Sequence, residues 1–453
     1  MINQNTLINN SSLRNDAINL ILNNDVTIIS ADTGSGKTIG VSAELSKLYK
    51  VICTQPRIPN VFGAHKGVKA LFNINSGYLT ALHEKDTYND LLFTTDGYLA
   101  RNTQMISNYD ILIIDETHEF NSNMEELLYY AKLELKRRSN FKLVILSATI
   151  KEQIEKIQKY YSEFKVAYKH YAGTTYDIVR LNFENYQNLD LLLTIKNEMQ
   201  HKNDIMIFLP TIDELYSMEE KLKSIGNINN WEILKLSRES EDDVKDKLFN
   251  KGNMPRIWLA TNIAQTGITP INLKTVIVTG YKIEDSINEN GIEGVSRTKL
   301  SKDDVIQQIG RCGRLSEGKA IWCADYNFNN CSEHSIPQIQ RMSLDRTYLS
   351  FIDHSIELDK IQLLHQPSSE NIRISKNILT TLKLIENDKI TSLGKECVKI
   401  PLSPRFAKAI IISKKYGLEN EIVSLMAIME NNQPLLKKDV NNTSSINNLF
   451  STL

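Results

Sequence analysis

The sequence is short of cysteine: five residues in 453, Cys53, Cys312, Cys323, Cys331 and Cys397, with no C-x-x-C pair. An odd, scattered set provides no disulfide framework. It suits reduced thiols in an intracellular, cytoplasmic setting, with nucleus, virion and host cell left open. The nearest approach to a metal set is Cys323 and Cys331 with His334, and no second ligand pair of zinc-type spacing accompanies them. Long apolar runs are missing as well. None approaches the roughly 18 residues of a membrane span, and the polar start Met1-Ile2-Asn3-Gln4-Asn5 lacks a secretory pattern. No membrane partner is expected. Nor is there an excess of either charge: 53 Lys and Arg stand against 54 Asp and Glu, for a formal net charge of −1. A nucleic-acid partner would therefore have to be met by a local basic track. No internal repeat of short period occurs.

What is present is a globular composition, 41% hydrophobic and 24% charged, in a chain too long for one ordinary core. At roughly 150 residues per domain it divides into about three. Up to residue 150, the apolar runs Val26–Ser30, Val51–Thr54, Leu91–Thr94, Ile111–Asp115 and Leu143–Ser147 alternate with longer segments such as Met124–Arg138. Runs of this length read as buried parallel strands and the segments between them as crossover helices, which makes the fold class α/β. The pattern breaks near Tyr168–Tyr176, at Gly173-Thr174-Thr175, and restarts with Ile205–Leu209, Ile257–Ala260 and Val276–Thr279. Beyond about Asn327 the segments Ile336–Phe351, Ile372–Glu386 and Phe406–Met429 read as amphipathic helices, and Thr391-Ser392-Leu393-Gly394 as a turn before another. The expected units are 1–170, 171–326, a mainly helical 327–440 and a polar tail 441–453.

Ala31-Asp32-Thr33-Gly34-Ser35-Gly36-Lys37-Thr38 follows the first apolar run. A strand, a glycine-rich turn and a helix start aim backbone N–H groups at one point and favour an anion there. Thr33, Gly34, Ser35, Gly36, Lys37 and Thr38 would cradle phosphates, with Lys37 on the β- and γ-phosphates and the Thr38 hydroxyl on Mg²⁺. Ala31 stands where the pattern has its first glycine. Asp115-Glu116-Thr117-His118 ends another strand, about 80 residues further on. Asp115, with Glu116 and Thr38, suits a Mg²⁺ site, and Glu116 suits the orienting and deprotonation of an attacking water. Ser147-Ala148-Thr149 ends a further strand, where Ser147 and Thr149 can hydrogen-bond the Asp115–His118 turn. Gln307-Gln308-Ile309-Gly310-Arg311-Cys312-Gly313-Arg314 sets Arg311 and Arg314 three apart, as if on one helical face, and their guanidinium groups can reach a γ-phosphate. The polar turn from Ala260 and Thr261 to Thr269 follows a strand and can donate to phosphate oxygens at a domain cleft.

With Thr54-Gln55-Pro56-Arg57, Thr95-Asp96-Gly97 and Phe208-Leu209-Pro210, these segments form eight motifs in an order that resembles superfamily 2 helicases, more closely the DEAH/RHA RNA helicases. The resemblance covers residues from about 26 to 325. It extends to Ile390–Gly394 and to Ile400-Pro401-Leu402-Ser403-Pro404-Arg405. It implies two tandem RecA-like domains, then a winged-helix and helical ratchet-like region. It implies ATP or another NTP as fuel, with Mg²⁺, and 3′ to 5′ movement on single-stranded or 3′-tailed RNA. It leaves room for a protein activator. By resemblance, His118 is a coupling residue, Gln307 positions water, and Arg311 and Arg314 are arginine fingers. Arg57, Thr95, Asp96, Thr211 and Thr261 would line the nucleic-acid path, and residues 283–299 match the family's strand-separating hairpin by position.

The sequence departs from the family pattern at Thr117 for Ala, Gln265 for Glu, Gly267 for Ser and Gln308 for Arg. The sequence as given leaves no room after the ratchet-like region for the OB-fold common in the family. That sets the expectation that strand capture through such a fold is absent. Helicase motifs report the motor more clearly than the sugar, so a DNA helicase or translocase stays open, as does a regulatory RNA-binding protein with a weak motor.

Overall fold

Short apolar runs flanked by turn residues become strands wherever helices cover both of their faces. In the computed structural model, the described residues are 6–31, 35–81, 83–148, 153–171, 176–226, 228–237, 240, 244, 247–248, 250–262, 270–287, 293–313, 316–400 and 402–430. The first sheet holds β1 (Val26–Ala31), β2 (Val51–Gln55), β3 (Gly77–Leu79), β4 (Glu84–Lys85), β5 (Leu91–Thr95), β6 (Ile111–Ile114), β7 (Lys142–Ser147) and β8 (Val166–Tyr171). Their order is β4-β3-β5-β2-β6-β7-β1-β8, with only the β3–β4 pair antiparallel. The second sheet takes β9 (Ile178–Leu181), β10 (Asp204–Phe208), β11 (Glu232–Leu236), β12 (Arg256–Ala260), β13 (Leu273–Val278) and β16 (Gly318–Trp322). It is parallel throughout, in the order β11-β12-β10-β13-β16-β9. Between β13 and β16, β14 (Tyr281–Ile287) and β15 (Glu293–Lys299) form a separate antiparallel hairpin.

Successive strand residues serve opposite faces. Ile28 joins the cluster on one side of the first sheet and Ile29 the cluster on the other. The first of these clusters continues without a break into the C-terminal region, through Leu344, Tyr348 and Phe351, with the Phe351 ring stacked on Tyr130 at 5.8 Å. The C-terminal helices therefore share a core with the first sheet.

That region is helical, as expected, but its helices are shorter than the apolar spacing suggests. The segment expected as one helix over Ile336–Phe351 is two, Gln338–Arg341 and Asp345–Asp353. Between them Ser343 Oγ accepts from Asp345 N, and Leu344 N donates to Ser375 Oγ at 3.1 Å, so side chains take bonds a helix would need. Ser368 caps the helix Ser369–Thr381, which stops before a two-strand turn, β17 (Ile385–Glu386) and β18 (Lys389–Ile390). Thr391 caps Ser392–Val398 as its turn signal predicts. The last expected helix divides into Pro404–Ser413 and Glu419–Glu430, separated at Gly417, whose φ is +70°. The expected linker at Tyr168–Tyr176 begins inside β8, an edge strand paired with β1. Residues 173–175 and the tail 441–453 lie outside the described residues.

All five cysteines are free and buried. Cys323 and Cys331 point their thiols at Leu189 O and Tyr326 OH, while His334 bonds Asp303, so the three do not converge. No helix among the described residues is long and apolar enough to cross a membrane.

Candidate nucleotide and strand site

Ligands of open parallel sheets lie past the strand C-termini, and the first sheet gathers its polar side chains there. Gly36, at the end of the phosphate loop, caps the helix Lys37–Leu45 with φ +74°. A Cβ at Gly36 would come within 2.4 Å of Ile8 Cβ, so the loop requires glycine on both counts. Ile8 N donates to Ser35 O at 3.2 Å, which ties the N-terminal segment to the back of the loop. Lys37 opens the helix with a buried side chain. Thr33 and Gly34 lie outside the described residues.

Asp115 follows β6 and is buried. One carboxylate oxygen accepts from the Thr38 hydroxyl and from Gln55 Nε2 at 2.8 Å, and the other accepts from Glu116 N at 2.8 Å. Burial pushes the Asp115 carboxyl above its ordinary range, and Glu116's like charge adds to this. Lys37, Thr38 and Gln55 pull it back. Sequence reasoning missed Gln55. Its signal is register: β2 pairs with β6 through Thr54 and Ile114, which sets Gln55 beside Asp115.

Glu116 has φ +52° and Phe120 φ +37°, so two left-handed, non-glycine residues bracket the 3₁₀ turn Thr117–Glu119. Within this turn, His118 Nδ1 lies 3.3 Å from Ser147 Oγ and 3.5 Å from a Glu116 oxygen. His118 Nε2 is buried without a hydrogen-bond partner among the described residues. Asp303, from the helix Lys302–Ile309, is pushed up by burial and drawn back by His334 Nδ1 at 2.6 Å and, more weakly, by His118. Thr149 lies outside the described residues.

The residues assigned to the nucleic-acid path follow strand C-termini in two groups, one on each sheet. On the first sheet, Arg57 follows β2 and pairs with Glu119 at 3.3 Å, while Thr95 ends β5 and caps the helix Asp96–Arg101. Asp96 departs from expectation. Its side chain is buried, accepts from Asn121 Nδ2 at 3.0 Å, and is turned into the protein rather than toward a strand. Burial pushes its carboxyl up to about 7. On the second sheet, Thr211 caps the helix Ile212–Lys223 just past β10, and Thr261 N donates to Leu236 O just past β12. Thr279, which no motif singled out, bonds Phe208 O at 2.7 Å beside them.

Arg311 also departs from expectation. Its helix ends at Ile309, with Gly310 as cap and Gly313 at φ +75°, so Arg311 sits in the turn after the helix and not on a helical face. It is buried, and Nε donates to Gln307 O at 3.3 Å. Arg314 and residues 263–269 lie outside the described residues. The β14–β15 hairpin is anchored at its base by Lys282, which pairs with Glu284 at 2.7 Å and Asp304 at 2.6 Å.

Two largely parallel sheets in tandem, one carrying a glycine-rich loop opposite an Asp-Glu pair, define an α/β fold of RecA-like type. A sequence model of the DEAD/DEAH box helicase family matches residues 11–157, and one of the helicase conserved C-terminal domain matches 184–316. The chain belongs to the superfamily 2 helicases of DEAH type. It is similar to the ATP-dependent RNA helicase HrpA homolog of Haemophilus influenzae, with 27% identity over 92% of this chain and 34% of that protein. HrpA of Borreliella burgdorferi is 27% identical over 88% and 51%. The ATP-dependent RNA helicase DHX33 of Drosophila melanogaster is 24% identical over 92% and 65%. The chain thus spans between about a third and two thirds of the length of these relatives. Its fold matches a crystal structure of the Escherichia coli DExH-box NTPase HrpB with a TM-score of 0.82 at 20% identity, covering 100% of this chain and 57% of that one.

Proposed function

We propose that the chain is an ATP-dependent motor that moves on single-stranded RNA and opens duplexes or remodels RNA–protein complexes. The observation that carries this reading is the cluster of Lys37, Thr38, Gln55, Asp115 and Glu116 at one sheet edge. The names of the relatives, ATP-dependent RNA helicases, favour RNA over DNA. The units of this motor are 1–170 and 171–326, with 327–440 as the winged-helix and ratchet-like region.

The residues present suit the groups they would hold. Ser35 Oγ is buried without a partner among the described residues, beside the buried Lys37, so the loop offers donors to a phosphate. The buried Asp115 carboxylate, within hydrogen-bond reach of the Thr38 hydroxyl, suits Mg²⁺, which when bound would supply positive charge to the phosphates. Glu116 orients and deprotonates the attacking water. His118 and Ser147 hold the turn that aims Glu116, and Thr149 is assigned with Ser147 to coupling. Gln307 positions the water from the second sheet, and Arg311 and Arg314 stabilise charge on the γ-phosphate. Arg57, Thr95, Thr211 and Thr261 contact the strand through phosphate and sugar, so binding is sequence-tolerant and salt-sensitive. The β14–β15 hairpin separates strands.

Lys37→Ala tests the site. Steady-state ATP hydrolysis should fall to background, and unwinding of a 3′-tailed RNA duplex should be lost with it. Turnover at the wild-type rate would overturn the assignment.

A further inference from the structure

The hydrolytic turn is held from outside its own unit. Phe120 closes the turn in a left-handed conformation at φ +37°, a cost that a bulky residue bears only when its surroundings enforce it. Two residues of the C-terminal region do so. Gln338 N donates to Phe120 O at 3.2 Å, and Gln338 Oε1 accepts from Ser122 N at 2.9 Å. Ser122 is the first residue of the helix Ser122–Arg137, so Gln338 satisfies an N–H that the helix itself cannot. The His365 ring meets the Phe120 ring edge-on, with centroids 4.6 Å apart. That ring is fixed in turn: His365 Nδ1 lies 2.5 Å from Glu125 Oε1, and His365 N donates to Glu125 Oε2 at 3.2 Å, with both residues buried. The next glutamate, Glu126, accepts from Ser350 Oγ at 3.2 Å, a second tie to the same region.

We propose that Gln338 and His365 are positioning residues for hydrolysis: they hold Phe120 in place and so fix the direction in which Glu116 and His118 leave β6. This rests on the reading of Glu116 as the residue that activates water. Neither residue belongs to the eight motifs, and both lie more than 200 positions along the chain from the turn they brace. The fuel-burning turn and the region assigned to the strand ratchet are thereby one mechanical piece. The C-terminal region contributes to kcat without touching the nucleotide.

The test uses the full chain and the variants Gln338→Ala, Gln338→Glu and His365→Ala. His365→Ala strands the Glu125 carboxylate and is open to misfolding. Gln338 is half-buried, and Gln338→Glu keeps an acceptor for Ser122 N–H. In Gln338→Ala, amide hydrogen exchange over 117–124 should quicken while the second sheet is unchanged. RNA-stimulated kcat should fall roughly tenfold, as expected for a misplaced reacting group, with KM for ATP within about twofold. Gln338→Glu should restore most of both. Unchanged exchange over 117–124, or quickened exchange with kcat intact, would overturn the proposal. A wild-type chain with no turnover would overturn the hydrolase reading instead, and the exchange result would then decide the positioning claim by itself.

Discussion

Asp96 follows β5 and Asp115 follows β6, strands that flank β2 in the first sheet, yet only Asp115 bonds Thr38 at the end of the glycine-rich loop. Asp115 is legible because a loop ending in Lys37-Thr38 and an Asp-Glu pair at a strand end imply each other. The burial of Asp96 is not, because it depends on Asn121 reaching back from another element. That burial has a consequence in pH. An ordinary Asp in the unfolded chain releases its proton near pH 4, whereas folded Asp96 keeps its proton to about 7. Between these values the folded state binds the extra proton, so the Asp96 contribution to stability is complete below about pH 4, declines as pH rises and is gone above about 7. Glu126, also pushed up to about 7 by burial, acts in the same direction. Asp96→Asn should remove one proton's worth of this slope, about 1.4 kcal/mol per pH unit at most. Urea unfolding from pH 4.5 to 8 should show the variant gaining on the wild type as pH rises. Parallel curves would contradict the burial argument.

Among elements, β1, β2, β5, β6 and β7 of the first sheet and β10, β12 and β13 of the second are legible as short, mostly apolar runs, since a strand buried on both faces carries few polar positions. By contrast β16, which opens Gly318-Lys319, does not read as one. Edge strands are less legible: β8 carries exposed Lys169 and His170 and reads as linker, and β9 is short and mostly exposed. The C-terminal helices mislead through breaks that hydrophobic spacing does not register, at Ser343, which bonds locally, and at Gly417, which turns left-handed. The helix after the phosphate loop shows the opposite case, where one glycine decides the element. Gly36→Ala should cost about 1–3 kcal/mol through left-handed strain and the clash with Ile8. It should also weaken binding of a fluorescent ATP analogue, because the cap sets the direction of the loop's N–H groups. A variant matching the wild type in both denaturant midpoint and nucleotide affinity would contradict that account of the loop.

At the scale of the molecule, motif order foretells two sheets and a helical region but not how they are joined. The shared core between the first sheet and the C-terminal helices, with Gln338, His365 and Glu125 at its edge, arises from contacts across hundreds of positions, and no local pattern encodes them. Arg311 likewise carries a motif signature while the turn that holds it is set by Gly310 and Gly313. What the whole assembly is for is tested most directly by steady-state ATP hydrolysis without nucleic acid, with single-stranded RNA, and with DNA of the same sequence, each beside a Glu116→Gln control. RNA should stimulate turnover well beyond DNA, since only RNA offers 2′-OH contacts, and the control should abolish it. Equal stimulation by DNA, or no turnover under any condition, would contradict an RNA-driven motor.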